Sequence, residues 1–163
     1  MIKVLEPGAT KIYFAASIKA GRDLAPQYSS IVEILKGYGS VLSEHVGSTS
    51  LGKEGERLDP SFIHSRDLAL IREAELVVAE VTVPSLGVGY EIRYSIEQSK
   101  RIICLCHMEK QSQLSAMISG APEIQTIFYS DISDLQKKLF LLKDYHLQVP
   151  ENASVSVPSP INT

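Results

Sequence analysis

Five short apolar runs, separated by stretches of helical periodicity, constrain the fold of this chain more than any other feature. The runs cover residues 11–16, 40–46, 76–81, 101–106 and 124–129, the second alternating only weakly. Their lengths and their β-branched and aromatic content are those of strands. Between them apolar residues recur at helical spacing. Tyr28, Ile31, Ile34 and Leu35 mark a first helix ending at Gly37 or Gly39, and Ile63, Leu70, Ile71 and Ala74 mark a second across 62–74. Further helices are expected at 88–98, briefly at 113–119, and at 132–145 with Leu135, Leu139 and Leu142. Strands alternating with helices imply parallel pairing through right-handed crossovers. The expected architecture is therefore α/β: a flavodoxin-like, doubly wound, five-stranded parallel sheet, order 2-1-3-4-5, with helices on both faces. Residues 11–147 are expected to form the single domain, 1–10 a short lead-in, and the aperiodic Pro-, Ser- and Asn-rich stretch 148–163 a disordered tail.

At 163 residues, with 44% apolar and 21% charged content, the chain has the size and balance of one globular domain. A net charge of −3 offers no electrostatic footprint for nucleic acid or an anionic membrane. No apolar run approaches the ~18 residues of a membrane span, and residues 1–10 lack the cationic and apolar regions of a signal peptide. Cys104 and Cys106, without C-x-x-C spacing, read as reduced, buried thiols of a cytoplasmic or nuclear protein.

In a sheet of this order ligands bind at the switch point between strands one and three, beyond their carboxyl ends. Two loops converge there, 17–22 and 82–91. The first offers the Ser17 hydroxyl, backbone N–H groups among small residues, and the cations Lys19 and Arg22. These are the ingredients of a phosphate site, or of an ordinary βα turn. Asp23 is placed to cap the helix that follows, and Ser85 adds a donor from the second loop. Three acids compete for chemistry. Glu80 ends an apolar strand, where the alternative is a paired structural carboxylate near the sheet edge. Asp67 lies on an otherwise apolar helix face, where an unpaired charge is costly. Glu91 follows a loop containing Pro84, Gly87 and Gly89 and is expected in the first helical turn, where it serves either the helix dipole or a reaction. Tyr13 either bonds a carboxylate or fills the core, and His45 either meets a ligand or pairs with Glu44. Two carboxylates beside a phosphate pocket suggest cleavage of a glycosidic bond in a phosphorylated sugar.

Several blocks carry a family resemblance: Tyr13-Phe14 through Ser17-Ile18 and Gly21-Arg22, Ser43-Glu44-His45-Val46, the run from Val78 to Glu91, and Leu114-Ser115-Ala116-Met117-Ile118. Together they resemble the 2′-deoxynucleoside 5′-phosphate N-hydrolases of the nucleoside 2-deoxyribosyltransferase-like superfamily. The resemblance implies hydrolysis of a deoxynucleoside monophosphate to free base and 2-deoxyribose 5-phosphate, without metal or organic cofactor. By it Glu91 is the nucleophile, Asp67 the acid/base, and Tyr13 the group that orients Glu91. The segment Ala16, Ser17, Ile18, Lys19, Ala20, Gly21 and Arg22, with Ser85 and Gly87, holds substrate and its phosphate, and His45 lies toward the base. A homodimer is implied in which Ser115, Ala116 and Met117 reach the partner subunit's site. Relatives carry Gly-Ser-Ile-Arg-Gly-Gly-Arg where this chain has Ala16 to Arg22, so Lys19 keeps a charge without the guanidinium fork. The competing readings are a deoxyribosyltransferase, a ribonucleotide N-hydrolase, and a non-catalytic nucleotide-binding module.

Overall fold

The computed structural model describes residues 10–18, 24–50 and 55–145. Five strands, β1 (Thr10–Ala15), β2 (Gly39–Val41), β3 (Leu76–Glu80), β4 (Arg101–His107) and β5 (Ile124–Tyr129), form one parallel sheet in the order β2-β1-β3-β4-β5. The α-helices are α1 (Ala25–Lys36), α2 (Pro60–Glu73), α3 (Leu86–Glu97), α4 (Ala116–Ser119) and α5 (Ile132–Tyr145), with short 3₁₀ helices at Glu44–Gly47 and Met108–Gln113. This is the strand order expected from the sequence. The expected lead-in (apart from Thr10), the tail, and Asp23 with its expected cap lie outside the described residues.

Alternation along β1 decides which side chains can meet which helices. Ile12 and Phe14 face one side, packing with Val78, Leu105 and Tyr129 against Tyr28, Ile31 and Leu35 of α1 and Leu135 and Leu139 of α5. Tyr13 and Ala15 face the other, packing with Val77, Ala79, Ile102 and Cys104 against Ile71 of α2 and Val88 and Ile92 of α3. Tyr13 therefore shares its layer with the two helices that carry Asp67 and Glu91. Cys104 and Cys106 are both buried, free thiols. Among the described residues no helix is long and apolar enough to cross a membrane.

Three local expectations are corrected. The second strand was expected over 40–46 but ends at Val41. The reason is Ser43, whose buried hydroxyl accepts from the Phe14 N–H at 2.7 Å and donates to the Phe14 carbonyl at 2.8 Å. One side chain thus replaces the next rung of the ladder, and the backbone is free to turn into the 3₁₀ helix that carries His45. At the other end of the strand, a Cβ on Gly39 would lie 2.0 Å from the Thr10 carbonyl oxygen, so only glycine fits there. Second, α3 begins at Leu86, two residues before its expected start, because the Ser85 side chain caps it by accepting from Val88 N–H at 3.4 Å. Gly87 and Gly89 are helical, and Glu91 sits in the second turn, beyond the strongest part of the helix dipole. Third, Glu80 lies on the central strand β3 and not near an edge, fully buried, with its carboxylate bonded to the Thr82 hydroxyl and N–H and to Tyr129 Oη.

Ser43→Ala leaves the buried N–H and carbonyl of Phe14 without those partners, and is expected to cost about 2 kcal/mol. Denaturant unfolding checks this, and an unchanged midpoint contradicts the role given to Ser43.

Candidate active site

Tyr13 and Glu91 come from distant parts of the sequence, β1 and α3, and meet at the switch-point end of the sheet. Tyr13 is fully buried and its hydroxyl donates to Glu91 Oε1 at 2.6 Å. That length is typical of a hydroxyl bonded to a carboxylate. Burial raises the Glu91 carboxyl, the Tyr13 hydrogen bond pulls it back and the charge of Asp67 adds to the rise, leaving it at about 7. Tyr13 itself is held well above its ordinary value by burial, then by Glu91 and Asp67. Asp67, two turns into α2, is thus an electrostatic neighbour of both. Glu91 is consequently an acid that changes charge near neutral pH, beside a second carboxylate and a phenol that cannot ionise.

A charged cluster backs Asp67. Arg66 holds Asp67 Oδ1 at 2.9 Å and grips both oxygens of Glu56 at 2.5 and 2.7 Å. His45 Nε2 lies 3.1 Å from Arg66 Nη2 and 3.3 Å from Glu56 Oε1. The His45 imidazole is held below its ordinary value by burial, then by Arg66, while hydrogen bonding from Arg66 lowers Glu56. The expected pairing of His45 with Glu44 is not found: Glu44 pairs with Lys36 at 2.8 Å instead. His64 and Tyr90, 3.0 Å apart, tie α2 to α3 on the outer side.

Ala16, Ser17 and Ile18 follow the carboxyl end of β1, Ala16 and Ser17 being buried, whereas Lys19, Ala20, Gly21 and Arg22 lie outside the described residues. Ser115 caps α4 by accepting from Met117 N–H at 3.3 Å. It does not join Tyr13 and Glu91. Along α3, Glu91 is about 200° from Gly89 at 100° per residue, so the two face opposite flanks. Glu91 looks toward α2; Gly89, Arg93 and Ile96, with Ser85, Leu114, Ser115 and Met117, line a groove of about 650 Å³ on the α4 side. A Cβ on Gly89 would touch nothing within 4 Å, so the space beside it is open.

Sequence reasoning did not single out Arg66 or Glu56. Adjacent residues on a helix do not face each other, so Arg66-Asp67 spacing carries no signal of contact, and Glu56 sits in a polar loop with no periodicity.

Residues 12–147 match the nucleoside 2-deoxyribosyltransferase family. The chain belongs to that family. It is 42% identical over 151 residues to 5-hydroxymethyl-dUMP N-hydrolase of Mus musculus, covering 91% of this chain and 87% of the relative. It is 38% identical over 157 residues to the Homo sapiens enzyme of the same name, covering 95% and 90%. Among solved structures, BlsM superposes with a TM-score of 0.69 at 17% identity, covering 93% of this chain and all of that one. The Clostridium botulinum CMP N-glycosidase BcmB gives 0.60 at 20% identity, covering 81% and 98%. These two likenesses establish a shared fold.

Carbon-detected NMR titration of the Glu91 carboxyl is expected to give a midpoint near 7, moving upward in Tyr13→Phe because a bond to the ionised form is lost. An ordinary carboxylate midpoint contradicts the buried setting. Linkage gives the stability counterpart. A carboxyl raised above its unfolded value of ~4.3 costs nothing while both states are protonated. The cost grows as pH rises from there to about 7, and is full above it. Glu91→Gln is therefore expected to raise the melting temperature relative to the native protein more at pH 8 than at pH 4, and the reverse order contradicts this.

Proposed function

We propose that this chain hydrolyses the N-glycosidic bond of 2′-deoxynucleoside 5′-monophosphates, releasing free nucleobase and 2-deoxyribose 5-phosphate. The observation that carries the reading is the part-buried Tyr13–Glu91 hydrogen bond at 2.6 Å with Asp67 as its acidic neighbour. It supports a two-carboxylate mechanism on a scaffold whose relatives in mouse and human are named for this reaction on 5-hydroxymethyl-dUMP.

In the first step, with the single proton of the carboxylate pair on Asp67, ionised Glu91 attacks C1′ and the C1′–N bond breaks. Asp67 delivers a proton to the departing base, leaving a glycosyl ester on Glu91. In the second step Asp67 takes a proton from water, whose oxygen attacks C1′ and frees Glu91. The enzyme returns to its starting protonation state, and no metal or organic cofactor is consumed. Positive charge builds on the sugar as the base leaves, and a fixed carboxylate against C1′ stabilises it. The ester divides one hard displacement into two easier ones. Tyr13 has two tasks: it fixes the carboxylate rotamer and keeps a larger share of Glu91 ionised at neutral pH. The absent 2′-hydroxyl makes the sugar cation easier to form.

Ala16, Ser17, Ile18, Lys19, Ala20, Gly21 and Arg22, with Ser85 and Gly87, are assigned to substrate and its 5′-phosphate. Binding energy from that remote group positions C1′ for attack. His45 is assigned to the nucleobase side. The site is proposed to be completed in a homodimer by Ser115, Ala116 and Met117 of the other subunit. Two features support this: the apolar groove beside α4 lies on the flank of α3 away from Glu91, and Leu86 and Met117 are 97% and 82% exposed.

The purified protein is expected to release base from a deoxynucleoside 5′-monophosphate, and not from the matching deoxynucleoside or ribonucleotide. Equal release from the deoxynucleoside contradicts the phosphate assignment. Glu91→Gln is expected to lower turnover by roughly a thousandfold or more, about 4 kcal/mol of barrier, while calorimetry still detects substrate binding. Mixing Glu91→Gln subunits with subunits disrupted at Ser115 is expected to restore activity in heterodimers, and none in heterodimers shown to form contradicts a shared site.

A further inference from the structure

The geometry points to Arg66 as a positioning residue of the reaction: it immobilises Oδ1 of Asp67 and, by its grip on Glu56, fastens the loop before α2 beside the site, so that Asp67 presents Oδ2 to the substrate. This rests on Asp67 being the acid/base of the function proposed above.

Neighbouring residues on a helix point about 100° apart, so the Arg66–Asp67 contact is not a by-product of helix geometry. The arginine side chain has to fold back along α2, and the surroundings hold it there. Its Nε lies 2.9 Å from Asp67 Oδ1. Nη1 and Nη2 form a bidentate pair with Glu56 at 2.5 and 2.7 Å, the arrangement for which a planar guanidinium is suited. Nη2 also lies 3.1 Å from His45, which comes from the 3₁₀ helix after β2. Three separate segments therefore converge on one guanidinium.

The side chains are largely shielded: Glu56 is 11% exposed, Asp67 16% and Arg66 23%. Pairs in such positions are less screened than surface ion pairs, whose contributions are small. Among the described residues no hydrogen bond reaches Asp67 Oδ2. One oxygen of the carboxylate is thus tied and the other is left for chemistry, with Tyr13, Glu91 and His45 as further titratable neighbours of Asp67. A carboxylate free to rotate would spend much of its time misaligned, and misplacement by about 1 Å is enough to lose as much as a hundredfold in rate.

The test uses kcat/KM, which reports the first irreversible step, on two 2-deoxyribose 5-phosphate substrates. One carries a natural nucleobase, whose departure needs a proton. The other carries 4-nitrophenolate, which departs as a stable anion. The native protein, Arg66→Gln, Glu56→Gln and Asp67→Asn are compared, with folding followed by thermal unfolding. Arg66→Gln is expected to lose about tenfold or more on the nucleotide, and less than about twofold on the nitrophenyl substrate, a part of the 10²–10⁴ that acid–base catalysis supplies. Glu56→Gln, which keeps Arg66 on Asp67, is expected to show a smaller loss, about threefold, with the same dependence on leaving group; it serves if Arg66→Gln does not fold. Equal losses on both substrates, or no loss on either, overturn the role of Arg66. If Asp67→Asn shows the leaving-group dependence and the Arg66 and Glu56 variants do not, the inference alone falls. If Asp67→Asn loses equally on both, the acid/base assignment falls and takes this inference with it.

Discussion

A single hydrogen bond, from the Tyr13 hydroxyl to Glu91, joins the first strand to the third helix across 78 residues of sequence. Placing both groups requires most of the fold. β1 must lie inside the sheet, so that Tyr13 is buried and faces α2 and α3. The chain must leave β1 toward β2 and leave β3 toward β4, so that the crevice opens at that boundary. α3 must start early enough to turn Glu91 toward α2. Ser85 arranges the last of these, capping the helix at the residue that starts it two positions before the glycines suggest.

The electrostatics follow from the same placement. Burial alone drives Glu91 toward its neutral form, which is useless to a nucleophile, and Tyr13 offsets part of that cost. Glu80 offers an internal comparison. It too is buried and held above the ordinary carboxylate range, again chiefly by burial. Its side chain faces the α1/α5 layer, however, and its oxygens are occupied by Thr82 and Tyr129, with Gln27 bonded behind Tyr129 at 2.6 Å. The one carboxylate is enclosed by its own protein; the other keeps an acidic neighbour, and among the described residues only one of its oxygens is bonded. Burial by itself does not distinguish a reactive acid from a structural one, whereas the unspent hydrogen-bonding capacity around it does.

Much of this was legible beforehand. The bounds of β5 and α5 match their expected spans, because the β-branched and aromatic residues of 124–129 and a clean leucine stripe leave little choice. The strand order followed from alternation of elements, and Tyr13, Asp67 and Glu91 were singled out before their proximity was visible. The failures have specific causes. The end of β2 depends on one hydroxyl, Ser43, substituting for backbone, which no periodicity announces. The start of α3 was misplaced because Gly87 and Gly89 signal a loop by propensity, yet a capped helix tolerates them. For Glu80 the alternative of a paired, structural carboxylate agrees with its bonds to Thr82 and Tyr129, but its strand is central and not near the edge where that alternative placed it. The Arg66–Glu56–His45 cluster was invisible because its three segments meet only in the folded chain.

The central claim is that Glu91 attacks C1′, so that the reaction proceeds by two displacements. The most direct measurement is the anomeric configuration of the methyl glycoside formed when turnover of a β-configured deoxynucleotide is run in aqueous methanol and read by proton NMR before any rearrangement. Double displacement through Glu91 predicts methyl 2-deoxyriboside 5-phosphate of retained β configuration. A product of inverted, α configuration would contradict the account, because it would mean that the acceptor attacks C1′ directly and that Glu91 forms no ester.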